Sequence, residues 1–275
     1  MNEFNFPLKI KLPNLSNTYI IMKLLQKLLN SKSAERIRRN LGLKTGIYLT
    51  FKRFTPSASE QLRIARLLNF FNINYVIDIG ANTGQFAESL FDFKYKGKVI
   101  SFEPVSSAYN ILVNRSKKYN NWEVAPRCAI GNFNKKTEIN VSDFSVFSSI
   151  LKIKKSHVTS KPSSKTINKE TIDMYRLDDI IENYIDSKET SILLKIDTQG
   201  FEKEVLDGAI NFLKRIKGID IEIPLNPIYE NTQFTFYESI EFLRKNKFKP
   251  YSFNIEGVNL TTGRVNTIDG LFFRE

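Results

Sequence analysis

The sequence predicts an α/β fold: a doubly wound, mostly parallel sheet with an antiparallel edge, preceded by a basic helical N-terminal extension. Three observations carry this reading. From Ser57 onward, helical stretches alternate regularly with apolar strands, which implies right-handed crossovers and helices on both faces of one sheet. The strands are short continuous apolar runs, such as Tyr75 to Ile79 and Ser191 to Ile196, of the kind buried inside parallel sheets. Two strand-like segments with no long crossover between them, Phe248 to Phe253 and Gly270 to Arg274, end the chain and suit an antiparallel pair.

Taken in order, residues 1–56 form an extension separate from the body at 57–275. Within it, Pro7 and Pro13 mark an extended arm, and Thr18 to Leu29 has helical spacing with Lys23 and Lys27 on one side. That run is too short and too interrupted to span a bilayer, which needs about 20 mostly apolar residues. No secretory leader is legible, so the expected location is cytoplasmic, with contact to an anionic membrane surface through residues 1–56 as the alternative to packing on the body or on a second copy of the chain. The body then reads as a helix from Ala58 to Phe71 and a strand at 75–79. A helix near Gln85 to Phe91, a strand Lys98 to Phe102 and a helix Ser106 to Tyr119 follow. An apolar segment Trp122 to Ile130 comes next, with Trp122 and Tyr119 read as core rather than as a stacking platform. Residues 144–170, rich in Ser and Lys, read as a long surface loop and a candidate lid. Helices near Leu177 to Tyr184, Phe201 to Ile216 and Ser239 to Asn246 alternate with strands Ser191 to Ile196 and Gly218 to Ile223.

Composition narrows the function classes. The 275 residues include one cysteine, Cys128, and one histidine, His157, so neither a disulfide framework nor a cysteine zinc site is available, and no metal is expected. The net charge is +12, but it is unevenly placed. Residues 1–60 carry 11 basic and 3 acidic residues, and residues 144–170 carry 6 lysines and 1 acid. The remainder sums to about −1. A near-neutral body argues against nucleic acid as substrate, while the two basic regions suit an anionic surface and an anionic acceptor.

The most informative stretch is DIGANTGQF, Asp78 to Phe86, between a buried strand and a helix. Gly80 and Gly84 let the backbone approach a ligand, and Asn82 stands where a positive φ is expected. Glu103, in SFEP, follows Gly84 by 19 positions at a strand end, suited to accept hydrogen bonds from both ribose hydroxyls of a nucleoside. Both NAD and S-adenosylmethionine carry that ribose. The spacing is not the G-x-G-x-x-G that clears a pyrophosphate, and Asp78 at the head of the turn favours the amino group of a methionine, so S-adenosylmethionine is preferred.

These residues resemble the FkbM family of S-adenosylmethionine-dependent methyltransferases. DIGANTGQF and SFEP resemble the family's first two motifs, and Cys128-Ala129-Ile130-Gly131 its third strand and turn. Leu177 to Ile180 resembles the segment before its fourth strand. The block Leu194 to Glu202 is similar to its most recognisable one, with Gln199 where Glu is more common, and the likeness runs on through Val205 to Ala209 and Asp269 to Phe273. The resemblance implies a Rossmann-like class I methyltransferase with a seven-stranded sheet, acting by O-methylation, often on a sugar of a glycan or on a secondary metabolite. It implies that Asp78, Gly80, Ala81, Asn82, Gly84 and Phe86 line the methionine end. Glu103 and Pro104 then lie at the ribose, Cys128, Ala129 and Ile130 at the adenine, and Asp197 near the transferred methyl.

For proton removal from an alcohol, the candidates are Asp197 and Glu222 at strand ends, with Glu202 and, in the Lys/Ser loop, His157. Glu202 has as its alternative a capping role or a pairing with Lys195 or Lys203. Two other functions stay open on sequence: an RNA methyltransferase and a non-enzymatic cofactor-binding adaptor docked through residues 1–56. The expected acceptor is a small molecule or glycan hydroxyl, anionic acceptors included.

Overall fold

A computed structural model describes residues 59–185, 190–232, 234–259 and 261–275. The N-terminal extension, with its expected helix at Thr18 to Leu29, lies outside the described residues. In chain order the elements are α1 (Glu60–Phe70), β1 (Tyr75–Ile79), α2 (Gln85–Asp92), β2 (Lys98–Phe102), α3 (Ser106–Ser116), β3 (Trp122–Val124), β4 (Ala129–Ile130) and β5 (Lys135–Ser142). There follow α4 (Lys155–Ser160), β6 (Thr166–Tyr175), α5 (Leu177–Ile180), β7 (Ile192–Ile196), α6 (Glu202–Asp207), β8 (Ile216–Pro224), α7 (Phe236–Lys245), β9 (Lys249–Val258) and β10 (Val265–Phe273).

One sheet of seven strands runs β3-β2-β1-β7-β8-β10-β9. The first five are mutually parallel, while β10 is antiparallel to both β8 and β9. The expected antiparallel edge is therefore present, with the last strand inserted between β8 and β9. Strand alternation sorts the sheet's two faces. Ile77, Ile79, Ile100, Phe102, Leu194, Ile196, Ile219 and Ile221 form one continuous apolar layer. Val76, Val99, Leu193, Leu271 and Phe273 pack on the other side with Leu68 of α1 and Leu90 of α2. That second face also carries a polar row in register across three strands, Asp78, Lys195 and Asp220. Polar groups on a buried face need partners, and their placement marks the end of the sheet where the site lies.

Trp122 belongs to the core, 6% exposed, in an aromatic cluster with Phe91 and Tyr119. Three expectations are corrected. The 144–170 segment is not one structureless loop: it holds a 3-10 turn at 145–147, α4, a second 3-10 turn at 162–164 and the start of β6. β6 pairs antiparallel with β5 and parallel with β4, making a second, three-stranded sheet. Its inward residues Ile139, Val141, Ile172 and Met174 alternate at strand period, but so many Lys and polar residues lie between them that the signal is diluted. The helix expected from Phe201 to Ile216 stops at Asp207, and a 3-10 turn follows at 212–215. There the Asp178 carboxylate accepts from the Asn211 and Phe212 amides, giving the backbone an alternative to helical hydrogen bonds. Likewise the helix expected over 177–184 is one turn of α-helix followed by a 3-10 turn.

Candidate active site

A cavity of about 260 Å³ opens at the C-terminal ends of β1, β2 and β7, where ligands of open α/β sheets bind. Its floor is the turn after β1. Gly80 and Gly84 have φ of +80° and +90°, and Asn82, as expected, has φ of +49°. Gly80 is required by close approach as well: a Cβ there would lie 1.9 Å from the Asp197 carbonyl oxygen, so only glycine lets the β1 turn meet the end of β7. The Asn82 amide donates to Glu103 Oε2 at 2.7 Å, and the Val105 amide donates to Oε1 at 2.8 Å. Glu103 is thus held rigidly at the wall, 4% exposed, and burial pushes its carboxyl up to about 7 against those two hydrogen bonds. Each carboxylate oxygen keeps a lone pair for a further donor.

Beyond Glu103 the wall turns apolar, through Phe102, Cys128, Ala129, Ile130 and Ile139. Burial, with Asp173 nearby, pushes the Cys128 thiol up to about 12, so it is an inert neutral surface rather than a nucleophile. At the opposite end stand Lys195 and Asp197. Lys195 Nζ lies 3.1 Å from Asp197 Oδ2 and 3.9 Å from Asp78 Oδ1. The roof is the first part of the 144–170 segment, fastened on both sides: Asn82 Nδ2 donates to Ser145 Oγ at 3.2 Å, and Ser149 Oγ donates to the Gln199 carbonyl at 2.8 Å. An apolar slot, a buried carboxylate with free lone pairs and an acidic far end suit a nucleoside whose other end is cationic. The residues present therefore fit S-adenosylmethionine.

The expected site residues divide into those that line the cavity and those that support it. Gly80, Ala81, Asn82, Phe86, Glu103, Pro104, Cys128, Ala129, Ile130 and Asp197 line it. Asp78 does not. It is fully buried beneath the turn, accepting from Ser101 Oγ at 3.2 Å, with Ser101 in turn accepting from Trp122 Nε1 at 3.0 Å. Burial raises Asp78 to about 6, partly offset by Lys195. Gly84 also stands behind the wall, where a Cβ would meet the Trp122 ring at 2.5 Å. Glu202, 1% exposed, accepts through Oε1 from the Thr198 and Gly200 amides and from Thr198 Oγ1. It holds the turn after β7, while Lys203 pairs with Asp207 instead.

His157 is not brought to the cavity. It sits on α4, anchored where the Lys154 amide donates to the Ile228 carbonyl at 2.8 Å, and faces a separate cleft. The basic part of the 144–170 segment goes with it, so the cavity is roofed by the serine-rich part alone.

Glu222 lies beside Asp197 through a residue to which sequence reasoning assigned no role. Gln199 Nε2 donates to Asp197 Oδ1 at 2.8 Å and to Glu222 Oε2 at 3.0 Å, while its Oε1 lies 2.9 Å from the Tyr229 hydroxyl. With the Tyr229 hydroxyl donating to its oxygen, the amide presents its NH₂ to the two carboxyl groups. Gln199 has φ of +57° and is followed by Gly200 at +96°, backbone strain of the kind that concentrates at functional sites. Glu222 is raised well above the usual carboxylate range by burial first, then by Asp197 and Glu202.

The doubly wound sheet and this site at its switch point define a class I methyltransferase that uses S-adenosylmethionine. Residues 78–250 match the Methyltransferase FkbM domain, and the chain belongs to that family. No curated protein matches it. Among solved structures it is similar to a methyltransferase FkbM from Methylobacillus flagellatus KT, at 19% identity over 74% of this chain and 44% of that one, with a TM-score of 0.43. This chain thus spans less than half the length of that relative. It is also similar to TehB from Haemophilus influenzae, at 12% identity over 86% of this chain and 67% of that one, with a TM-score of 0.43. A magnesium protoporphyrin IX methyltransferase from Synechocystis PCC 6803, solved with bound SAM, matches at 8% identity over 92% and 96% of the two chains, with a TM-score of 0.42.

Proposed function

We propose that the chain is an O-methyltransferase whose acceptor is a hydroxyl on a sugar of a glycan or glycoconjugate, with Asp197 taking the hydroxyl proton. The observation that carries this reading is the Asp197 carboxylate: it lines the cofactor cavity at its acidic end, and its side chain is 41% exposed. Lys195 and Gln199 each donate one hydrogen bond to it, which leaves each of its oxygens a further lone pair. In this reading Glu103 receives the ribose hydroxyls, the Cys128 to Ile130 wall faces the adenine, and the turn from Gly80 to Asn82 with Phe86 receives the methionine end. Asp78 and Gly84 act from behind that turn. When bound, S-adenosylmethionine supplies an electrophilic methyl on a sulfonium. The chain's own task is to align the acceptor oxygen and remove its proton at Asp197 Oδ, with Glu222 beside it.

The basic residues 1–56 complete the proposal as a docking segment for an anionic membrane surface, with the body acting in the cytoplasm. No described helix is long and apolar enough to cross a membrane.

The test is Asp197→Asn, which keeps the shape of the side chain and removes its basicity. Methyl transfer from radiolabelled cofactor to glycan acceptors is expected to fall by about 10²–10⁴-fold, with cofactor affinity from calorimetry changed by less than about tenfold. Undiminished transfer in the variant, label delivered only to RNA, or no transfer to any acceptor despite tight cofactor binding each overturns the proposal.

A further inference from the structure

A second cleft, of about 820 Å³, lies between α4, the segment 226–228 and the turn joining β9 to β10. Its chemistry differs from that of the cofactor cavity. Lys154, His157 and Lys161 line it, and among the described residues no Asp or Glu does. Asn226, Asn259 and Asn266 add planar amides, and Ser156 and Ser160 add hydroxyls, the groups with which proteins bind polyhydroxylated ligands.

The positive groups are positioned rather than loose. Lys154 Nζ donates to the Pro227 carbonyl at 2.8 Å, which fixes the ammonium and leaves two of its N–H groups to spare. Lys161 Nζ lies 4.5 Å from the centroid of the Phe147 ring. The His157 ring packs 5.7 Å from the same phenylalanine, and its Nε2 is enclosed without a hydrogen-bond partner among the described residues. Burial, and after it the Lys161 charge, hold His157 below its usual range. The cleft thus carries positive charge that no carboxylate among the described lining residues neutralises, with a polar atom enclosed beside it.

The cleft also adjoins the active site through two short connections. Asn226, Pro227 and Ile228 line it, and the next residue, Tyr229, reaches Gln199. Phe147, against which both Lys161 and His157 pack, stands between Val146 and Ser148 of the cofactor cavity's roof.

We propose that this cleft binds an anionic sugar unit of the acceptor, through its carboxylate, sulfate or phosphate, beside the unit whose hydroxyl is methylated. This rests on the glycan reading above and names its substrate class. It also gives the basic part of the 144–170 segment a function that contact with the cofactor does not.

The chain's single histidine makes the cleft directly observable, because the imidazole signals in a ¹H–¹³C NMR spectrum arise from His157 alone. The 275-residue chain is titrated with methyl β-glucuronide, methyl β-glucoside and sodium sulfate at matched ionic strength. The glucuronide is expected to shift the His157 signals saturably and to move their pH midpoint upward, since a bound anion offsets the Lys161 charge. The neutral glucoside is expected to leave them in place, and sulfate to bind about tenfold more weakly for lack of the amide contacts. A Lys154→Ala/Lys161→Ala variant is expected to weaken glucuronide binding about tenfold or more, while cofactor affinity, measured by calorimetry on the same sample, stays unchanged and shows the variant folded. No shift with glucuronide, an equal response to the glucoside, sulfate binding as tightly as the glucuronide, or indifference to the lysine substitutions overturns the proposal. Failure of cofactor binding in the unmodified protein overturns the methyltransferase reading instead, and the two failures are separately visible.

Discussion

At the scale of single residues, Gln199 does the most with the least sequence signal. Two carboxylates that approach one amide from the same side repel each other unless a donor stands between them, and Gln199 Nε2 supplies one hydrogen to each of Asp197 and Glu222. Substituting Gln199→Glu replaces that donor with a third acid and leaves the Tyr229 hydroxyl its acceptor. The cluster then binds protons more tightly, so its proton-accepting form is populated only at higher pH. Expected is an acidic limb of the kcat profile displaced to higher pH, with turnover at pH 7 reduced at least several-fold and recovering as pH rises. Gln199→Ala, lacking the bridge altogether, is expected to lose turnover at every pH. Superimposable profiles for Gln199→Glu and the unmodified protein, measured as rate against pH with saturating cofactor, contradict this role. In the sequence Gln199 reads only as a departure from Glu that removes a possible acid, because its partners at 222 and 229 are remote. Asp78, Glu103 and Asp197 were readable because each sits at a strand end in a local pattern. The capping alternative for Glu202 was readable too, but the supporting roles of Asp78 and Gly84 were not, since local pattern does not say whether a side chain faces the ligand or the wall behind it.

At the scale of elements, the site is a meeting of two turns, after β1 and after β7, and glycine permits their contact. Gly80→Ala introduces a Cβ 1.9 Å from a backbone oxygen at a φ of +80°. Gly263, at φ +73° with nothing within 4 Å among the described residues, offers a control for the conformational term. Left-handed backbone costs an alanine roughly 1–2 kcal/mol, so Gly263→Ala is expected to lower Tm by a few degrees and leave cofactor binding intact. Gly80→Ala is expected to lower Tm further and to weaken cofactor affinity by more than about tenfold, because the turn must retreat from β7. Equal effects of the two substitutions in thermal denaturation and calorimetry would show that the close approach has no energetic weight. The parallel strands β1, β2, β7 and β8 were legible because burial on both faces leaves unbroken apolar runs. The β5–β6 hairpin was not, because only one of its faces packs and its outward residues merge with the Lys/Ser composition around it.

At the scale of the whole molecule, the near-neutral charge of the body conceals a strong local imbalance. Asp78, Asp197, Asp220, Glu222 and Asp269 occupy the polar face and end of one sheet, with Lys195 among them. Burial first, and then their mutual repulsion, raises Asp220 to about 7 and Asp269 to about 9, beside Asp78 at about 6; Glu103 and Glu202, at about 7, add to the total. In the unfolded chain these groups revert to the ordinary carboxylate range, so between about pH 5 and 8 the folded protein holds more protons than the unfolded one. Stability then falls as pH rises, by roughly 1.4 kcal/mol per pH unit for each such proton. Without cofactor, the protein is expected to melt at a higher temperature at pH 5.5 than at pH 8, the reverse of the usual acid sensitivity of carboxylate-paired folds. Asp220→Asn, at a site buried enough for the full effect to operate, is expected to flatten the profile and raise Tm at pH 8. Differential scanning calorimetry across this range decides it: a Tm that climbs from pH 5.5 to 8, or an Asp220→Asn profile parallel to that of the unmodified chain, means that these acids do not carry the protons that their burial requires. The acceptor's anionic part is assigned to the basic cleft because Lys154 and Lys161 line it and attract an anion beyond Tyr229.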